Sequence, residues 1–346
     1  MQEILVCKEQ DPRETRVPLV PDDIRALTRM GFKVKAVSGT GIRSGYPDVL
    51  YRDAGAELVS KEDSASDIVL RIQKPRSVKG LKAGCIHISF LDPYTEKPLI
   101  KEAADKKIQL VSLNLIPRTS VAQKMDAQSS QSSLGGYVAL IKAASRLSKA
   151  LPMMMTPAGT INPARVLIIG AGVAGLQAIA TAKRLGARVY ASDIRPETME
   201  QMRSLGAVPV RTASEQVKAC ERSDIIITTA RGNGGKAPVI VTKDTIARMQ
   251  PGSVIVDMAV RNGGNVEGSK PDEEMLTDNG VLILSGDQLE REVAKDASKM
   301  LSGNITAFLS HFRGGEGLRM DPAEEIMKDC LLTKDGRVIH PLFQRV

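Results

Sequence analysis

The chain has 346 residues, 42% of them hydrophobic and 25% charged, which is enough for two α/β domains with real cores. The net charge of +8 is spread along the chain and aromatics reach only 3%, so a nucleic-acid platform of basic stripe and stacking rings is set aside. No apolar run approaches the roughly 18 residues of a membrane span, the charged N-terminal strand is not a signal peptide, and four scattered cysteines without a C-x-x-C argue against disulfides and zinc and fit a reducing cytoplasm.

In chain order, candidate strands are Glu3–Cys7, Lys33–Val37, Ile68–Ile72, Cys85–Phe90 and Gln109–Ser112. Helical patterns at Pro21–Met30, Pro47–Ala54 and Lys97–Lys106 separate them. Strands alternating with helices predict a mostly parallel sheet. Ser129–Ala150 reads as a long helix, apolar at Leu134, Val138, Leu140 and Ile141 and broken at Pro152–Gly159. A second set of strands follows at Val166–Ile169, Arg188–Ser192, Val208–Val210, Asp224–Thr229, Ser253–Met258 and Val281–Leu284. Asp296–Leu309 is a final amphipathic helix, expected to return the chain to the first domain as in two-domain dehydrogenases, and Val338–His340 is the one strand signal of the tail. The expected fold class is α/β: two Rossmann-like, doubly wound domains with mostly parallel sheets, joined by long helices. The expected boundaries are 1–130 for an N-terminal domain, to which 310–346 returns, 131–163 for a linker helix and loop, and 164–309 for a dinucleotide-binding domain.

The most informative stretch is Val166-Leu-Ile-Ile-Gly-Ala-Gly-Val-Ala-Gly175, an apolar strand running into Gly170-x-Gly172-x-x-Gly175. Gly170 permits a tight turn, Gly172 removes the Cβ that would block a pyrophosphate, and Gly175 lets the next helix pack closely on the sheet. The N–H groups and dipole of that helix attract phosphates. Asp193 lies 18 residues beyond the last glycine, at the end of a second strand. Its carboxylate can accept from ribose hydroxyls and would repel a 2′-phosphate, which favours NAD over NADP. Arg195 is read as a lip residue beside the adenosine; the simpler alternative is a salt bridge to an acid such as Glu197.

Acid–base chemistry finds few candidates. Of three histidines, His87 sits mid-strand as a satisfied core or sheet-surface residue, and His311 and His340 lie outside any motif. No histidine stands with carboxylates at metal spacing, and no Gly-x-Ser-x-Gly elbow appears. The polar stretch Pro117–Ser133 precedes the long helix. Asp126 and Ser129 are spaced for its N-terminus, as a cap within a solvated loop or as partners for a nicotinamide carboxamide, which needs both a donor and an acceptor.

Ala122-Gln-Lys-Met-Asp126, Ser129-Ser-Gln-Ser132, Gly136-Tyr137, Met155-Thr-Pro-Ala-Gly-Thr160, the fingerprint through Ala187 and Asp193-x-Arg-Pro196 resemble the NAD(H)-binding component of proton-translocating nicotinamide nucleotide transhydrogenases, within the alanine dehydrogenase/transhydrogenase superfamily. Thr228-Thr-Ala230, Lys236-Ala-Pro238, Gly252–Asp257 and Gly263-Gly-Asn265 extend the resemblance over nearly the whole chain. It implies an enzyme component that passes a hydride directly from NADH to NADP⁺ held on a partner subunit, coupled to proton translocation, with no protein general acid. Gln123, Asp126 and Ser129 fall on positions that hold the nicotinamide end, Arg118 on the arginine that helps, and Asp193 on the acid at the adenosine ribose. The implied coenzyme-binding set is Gly170, Gly172, Val173, Gly175, Asp193, Ile194, Arg195 and Gly234, with no metal. The implied assembly is a homodimer with an NADP(H)-binding β subunit and membrane-spanning subunits. It would be cytoplasmic and peripheral to the inner membrane, with no direct membrane insertion, as in members whose α subunit is divided among separate chains.

Alanine dehydrogenases of the same superfamily need a histidine and an aspartate near the substrate; Phe90 and Arg261 stand at the matching positions. Arg16 and Lys74 match residues that hold an amino-acid carboxylate there, but transhydrogenases share them. Transhydrogenase components carry a mobile insertion between the third and fourth Rossmann strands; here only Pro209–Ser223 intervenes, and Arg231-Gly-Asn-Gly-Gly235 is unusually glycine-rich. A free-standing amino-acid dehydrogenase and a nucleotide-sensing module are the alternatives.

Overall fold

The computed structural model describes residues 1–62, 64–231, 236–315 and 317–344. Contacts divide the chain into two compact units, Met1–Gln131 with Arg291–Val346, and Ser132–Glu290.

The first unit begins with β1 (Glu3–Val6), α1 (Pro21–Arg29), β2 (Lys33–Val37), α2 (Asp48–Asp53), β3 (Glu57–Val59), β4 (Ile68–Gln73), β5 (Ile86–Phe90), α3 (Lys97–Asp105) and β6 (Gln109–Ser112). Among the described residues the strand order is β3-β2-β1-β4-β5-β6, with every pair parallel. The central strands are buried on both faces, which is why β4 reads as a continuous apolar run broken only by Arg71. Helix α1 opens with Pro21, carries Asp22 and Asp23 in its first turn, and buries Ile24 and Leu27. Strand β3 escaped the sequence pattern because it is a three-residue edge strand with no fully buried position.

The unit boundary falls within α4 (Ala127–Arg146). The second unit continues with the hairpin β7 (Met154–Thr156) and β8 (Gly159–Ile161), which replaces the expected break. It then runs through β9 (Arg165–Ile169), α5 (Val173–Arg184), β10 (Arg188–Ser192), α6 (Thr198–Ser204), β11 (Val208–Pro209), α7 (Ala213–Glu221), β12 (Ile225–Thr228), α8 (Lys243–Ala247), β13 (Val254–Asp257), β14 (Glu274–Leu276) and β15 (Leu282–Ser285). Among the described residues the order is β11-β10-β9-β12-β13-β15-β14, with only β14 antiparallel. The winding reverses between β9 and β12, which opens a crevice at their carboxyl ends, the usual ligand position in such sheets. The short connection from β11 to β12 is filled by α7 alone.

The chain closes with α9 (Ala294–Phe312), α10 (Glu325–Cys330), β16 (Thr333–Lys334) and β17 (Arg337–Val338). Contacts close the second unit at Glu290, not at 309, and place all of α9 in the first unit. The reason is packing: Leu301, Ile305, Phe308 and Phe312 share one core with Ile4, Ile24 and Leu27. The hydroxyls of Ser298 and Ser302 accept from Val17 N at 3.0 Å and Val20 N at 2.9 Å.

The four cysteines are free and buried, and burial pushes the thiols of Cys7, Cys85 and Cys220 up to about 12. Among the described residues no helix is long and apolar enough to cross a membrane, and no side-chain cluster suits a metal ion.

Candidate functional site

The three fingerprint glycines have distinct geometries. Gly170 takes φ +100°, a left-handed turn at the end of β9, donates to Ser192 O at 2.8 Å, and accepts from Thr229 Oγ1 at 3.0 Å. Gly172 caps α5 with extended backbone and no side-chain hydrogen bond, and a Cβ added to it would meet nothing within 4 Å. A Cβ on Gly175 would sit 1.8 Å from Gly170 O, so α5 crosses β9 closely only because that position is glycine. A Cβ on Gly136 of α4 would lie 2.0 Å from Ala174 O, so α4 also presses on the first turn of α5. Open space over Gly172 therefore faces a helix start whose first N–H groups have no partner in the helix. Those groups, with Val173 at the first helical position and 38% exposed, fit a dinucleotide diphosphate.

Asp193 follows β10. Its Oδ2 accepts from Ala171 N at 2.6 Å, tying the acid to the glycine turn. Arg195 donates from its backbone N and Nε to Oδ1 at 2.9 and 3.0 Å, and from Nη2 to Oδ2 at 3.0 Å. Burial works against ionisation, but these hydrogen bonds prevail and hold the Asp193 carboxyl below its usual value. The ion pair of Arg195 is thus with Asp193 and not with Glu197. The Arg195 side chain is half exposed, so a ribose hydroxyl can take its place on the carboxylate. Ile194 is 98% exposed on the same lip. Gly234 and the glycine-rich loop around it lie outside the described residues.

Two further residues build this crevice; both end stretches that carry the family resemblance, Gly252–Asp257 and Gly263-Gly-Asn265, but spacing gave neither a partner. Asp257, fully buried after β13, accepts from Thr228 Oγ1, Ala259 N, Asn265 N, Val266 N and Ser269 Oγ at 2.6–3.1 Å. Asn265 in turn accepts from Ala230 N at 3.0 Å and donates to Ala230 O and Pro238 O at 3.0 and 2.8 Å. Together they anchor both ends of the segment following β12.

In the first unit Arg118, Asp126 and Ser129 come together. Asp126 caps α4, accepting from Ser129 N at 2.9 Å and Ser129 Oγ at 2.5 Å, and Arg118 Nε stands 3.8 Å away. Gln123 lies on the preceding 3₁₀ turn with its side chain exposed. Asn304 of α9 fixes that turn, donating to Lys124 O at 2.8 Å and meeting Ser130 Oγ at 2.7 Å.

The positions that matter for amino-acid chemistry are closed by internal ion pairs. Arg16 is 3% exposed and donates to both oxygens of Glu14 at 2.7 Å and to Gln131 Oε1 at 2.8 Å. Glu14 also accepts from Gln73 Nε2 and Arg291 Nε at 2.8 and 3.1 Å. Despite its burial, Arg16 and Arg291 hold the Glu14 carboxyl down at about 2. Lys74 pairs with Glu96 at 2.5 Å, and Arg261 with Asp287 at 2.5 Å. His87 departs from expectation: it is fully buried, but neither ring nitrogen has a partner.

The N-terminal domain model of the alanine dehydrogenase/PNT family matches residues 5–135 and its C-terminal domain model residues 139–341. In Rickettsia prowazekii, the first of the chains that make up a divided NAD(P) transhydrogenase subunit alpha is 38% identical, over 97% of this chain and 96% of that protein. The corresponding first chain from Rhodospirillum rubrum is 36% identical, over 98% of each. The crystal structure of transhydrogenase from Sinorhizobium meliloti superposes with a TM-score of 0.91 at 38% identity, covering 99% of this chain and all of that one.

Proposed function

Because the chain belongs to the alanine dehydrogenase/PNT family and is homologous to the first chain of divided transhydrogenase alpha subunits, we propose that it is the NAD(H)-binding component of such an enzyme. NADH held in the second unit would supply a hydride to NADP⁺ on a partner β subunit, with membrane-spanning subunits coupling the transfer to proton movement. The observation that carries this reading is the open space over Gly172 at an unpartnered helix start, with Asp193 tied to the same turn. Gly170, Gly172, Val173 and Gly175 receive the diphosphate. Asp193 accepts from the adenosine ribose once Arg195 yields, and Ile194 and Arg195 border the adenosine. We assign Arg118, Gln123, Asp126 and Ser129 to the nicotinamide end, where amide and carboxylate groups orient the ring. Phe90 and Arg261 stand where an alanine dehydrogenase needs a histidine and an aspartate, which disfavours the amino-acid dehydrogenase alternative. The complex would sit on the cytoplasmic side of the inner membrane, attached through its partners.

Calorimetric titration with NADH and NADPH tests the coenzyme assignment. NADH binds and NADPH binds far more weakly, and Asp193→Ala lowers NADH affinity by about 1–3 kcal/mol through lost ribose hydrogen bonds. Equal affinity for the two coenzymes, or an unchanged Asp193→Ala variant, would refute it.

The proposed homodimer uses the β7–β8 hairpin. Met153, Met155 and Ile161 are 59, 75 and 45% exposed, and an isolated two-stranded hairpin is at best marginally stable in water. Laid against a second copy, it gains the packing it lacks. Met155→Asp is expected to shift the sedimentation coefficient from dimer to monomer with the fold retained by circular dichroism; a dimer that persists contradicts this role.

A further inference from the structure

The second unit's sheet reverses its winding between β9 and β12, so each side of the crevice is built by one half of the sheet. The glycine turn after β9 and Asp193 after β10 form the side read above as taking adenosine and diphosphate. The other mononucleotide then falls to the side formed by the ends of β12 and β13. The first wall of that side is Thr229-Ala230, which lies hard against the glycine turn: a Cβ on Gly170 would stand 2.6 Å from Thr229 Oγ1 and 3.1 Å from Ala230 N. The pairing of β12 with β9 and β13 ends one residue earlier, at Thr228.

What holds this wall comes from elsewhere in the chain. Asn265 is fully buried and turns its carboxamide on the segment that begins where the ladder stops. Its Oδ1 accepts from Ala230 N at 3.0 Å, and its Nδ2 donates to Ala230 O and Pro238 O at 3.0 and 2.8 Å. Its own backbone is fixed in turn. Asn265 N donates to Asp257 Oδ2 at 3.0 Å, and Asn265 O accepts from Ile240 N and Val241 N at 2.8 and 2.9 Å. Gly264 makes the turn into this position at φ +76°, where a Cβ would stand 2.9 Å from Asp257 Oδ2. A buried amide bonded on every side has one position, and it passes that position on to Ala230.

We propose that Asn265 is a positioning residue for the nicotinamide mononucleotide half of NADH: it does not touch the coenzyme, but sets the Thr229-Ala230 wall against which that half rests. The inference rests on the coenzyme reading given above. Holding the wall in place before binding removes an ordering cost that the coenzyme would otherwise bear. The adenosine side is independent of this device, because Asp193 is fixed by Ala171 N and Arg195, in bonds to which Asn265 makes no contribution.

Calorimetric titration with NADH and with ADP, which carries only the adenosine and diphosphate, reads the two sides of the crevice apart. Asn265→Ala should weaken NADH binding at least tenfold and leave ADP binding within twofold of wild type. Asn265→Ser, which keeps a smaller polar group in the same place, should show the same split at lower amplitude, and it decides the question if the alanine variant fails to fold. Ile246→Ala, in the apolar core of the same unit, is the comparison for lost stability alone: its melting temperature falls, and it should bind both ligands like wild type. The proposal is overturned if the Asn265 variants bind NADH like wild type, if NADH and ADP weaken together, or if Ile246→Ala shows the same split. Wild-type protein that binds neither ligand overturns the coenzyme reading and this inference with it. Wild-type protein that binds both, beside Asn265 variants without the split, overturns this inference alone.

Discussion

Gly172→Ala is expected to leave the melting temperature within about a degree of wild type while weakening NADH binding by about 1.5–3 kcal/mol, the worth of hydrogen bonds to a charged group. Gly175→Ala, three residues away, is expected to do the reverse: destabilise the fold by about 3 kcal/mol and lose the coenzyme as a consequence. Both substitutions add one methyl group, and the surroundings decide the outcome. At Gly172 the added Cβ enters open space, in a backbone conformation that any residue adopts, so the apo protein does not feel it. In the proposed complex that open space is where a diphosphate comes close to the backbone, so the bound state is expected to feel it. At Gly175 the added Cβ would lie 1.8 Å from a main-chain carbonyl oxygen, and no side chain can move aside to relieve it. Thermal melts with NADH titrations on the two variants check the pair. Normal NADH affinity in Gly172→Ala would remove the diphosphate from this turn.

Glu14→Gln is expected to cost about 3–5 kcal/mol, because it removes the carboxylate charge paired with the buried Arg16 and leaves Arg291 to its longer ion pair with Asp11. Both guanidinium groups and Gln73 donate to this one carboxylate, and the Arg16 and Glu14 side chains are at most 2% exposed. Adding Arg16→Gln should recover some of the loss, so the double variant falls short of the sum of the single ones. The pH dependence has a definite sign. The folded-state pKa of Glu14 is depressed to about 2, so its contribution is complete above the ordinary glutamate pKa of about 4.3 and fades as pH falls towards 2. Urea unfolding between pH 5 and 2.5 should show this decline in wild type and a flatter profile in Glu14→Gln. A parallel decline in both would mean that other carboxylates control acid stability.

Some of this could be read from the sequence, and some could not. The fingerprint and Asp193 are legible because the turn, the helix start and the following strand are consecutive, so spacing alone encodes their geometry. Asp126 and Ser129 are legible as a helix start for the same reason. Strand β3 and the β7–β8 hairpin are too short, and too exposed, to produce a period. The pattern of α9 announced an apolar face, but nothing local says what that face meets, and the helix packs with the first unit. The anchoring of Ala230 by Asn265 joins residues 35 apart, and the grip of Arg291 on Glu14 joins residues 277 apart. Such contacts leave no periodic trace, and a buried arginine looks in sequence like any surface one. For His87 the strand pattern left core and sheet surface both open and expected a satisfied ring, whereas the ring is fully buried with neither nitrogen partnered, which no local spacing encodes.

The most direct measurement is NADH turnover by the purified chain, alone and with an NADP(H)-binding subunit. We expect transfer to an NADP⁺ analogue only when that subunit is present, and no oxidation of NADH by pyruvate and ammonia. Steady NADH oxidation by the lone chain with pyruvate and ammonia would contradict this assignment and make the protein an amino-acid dehydrogenase.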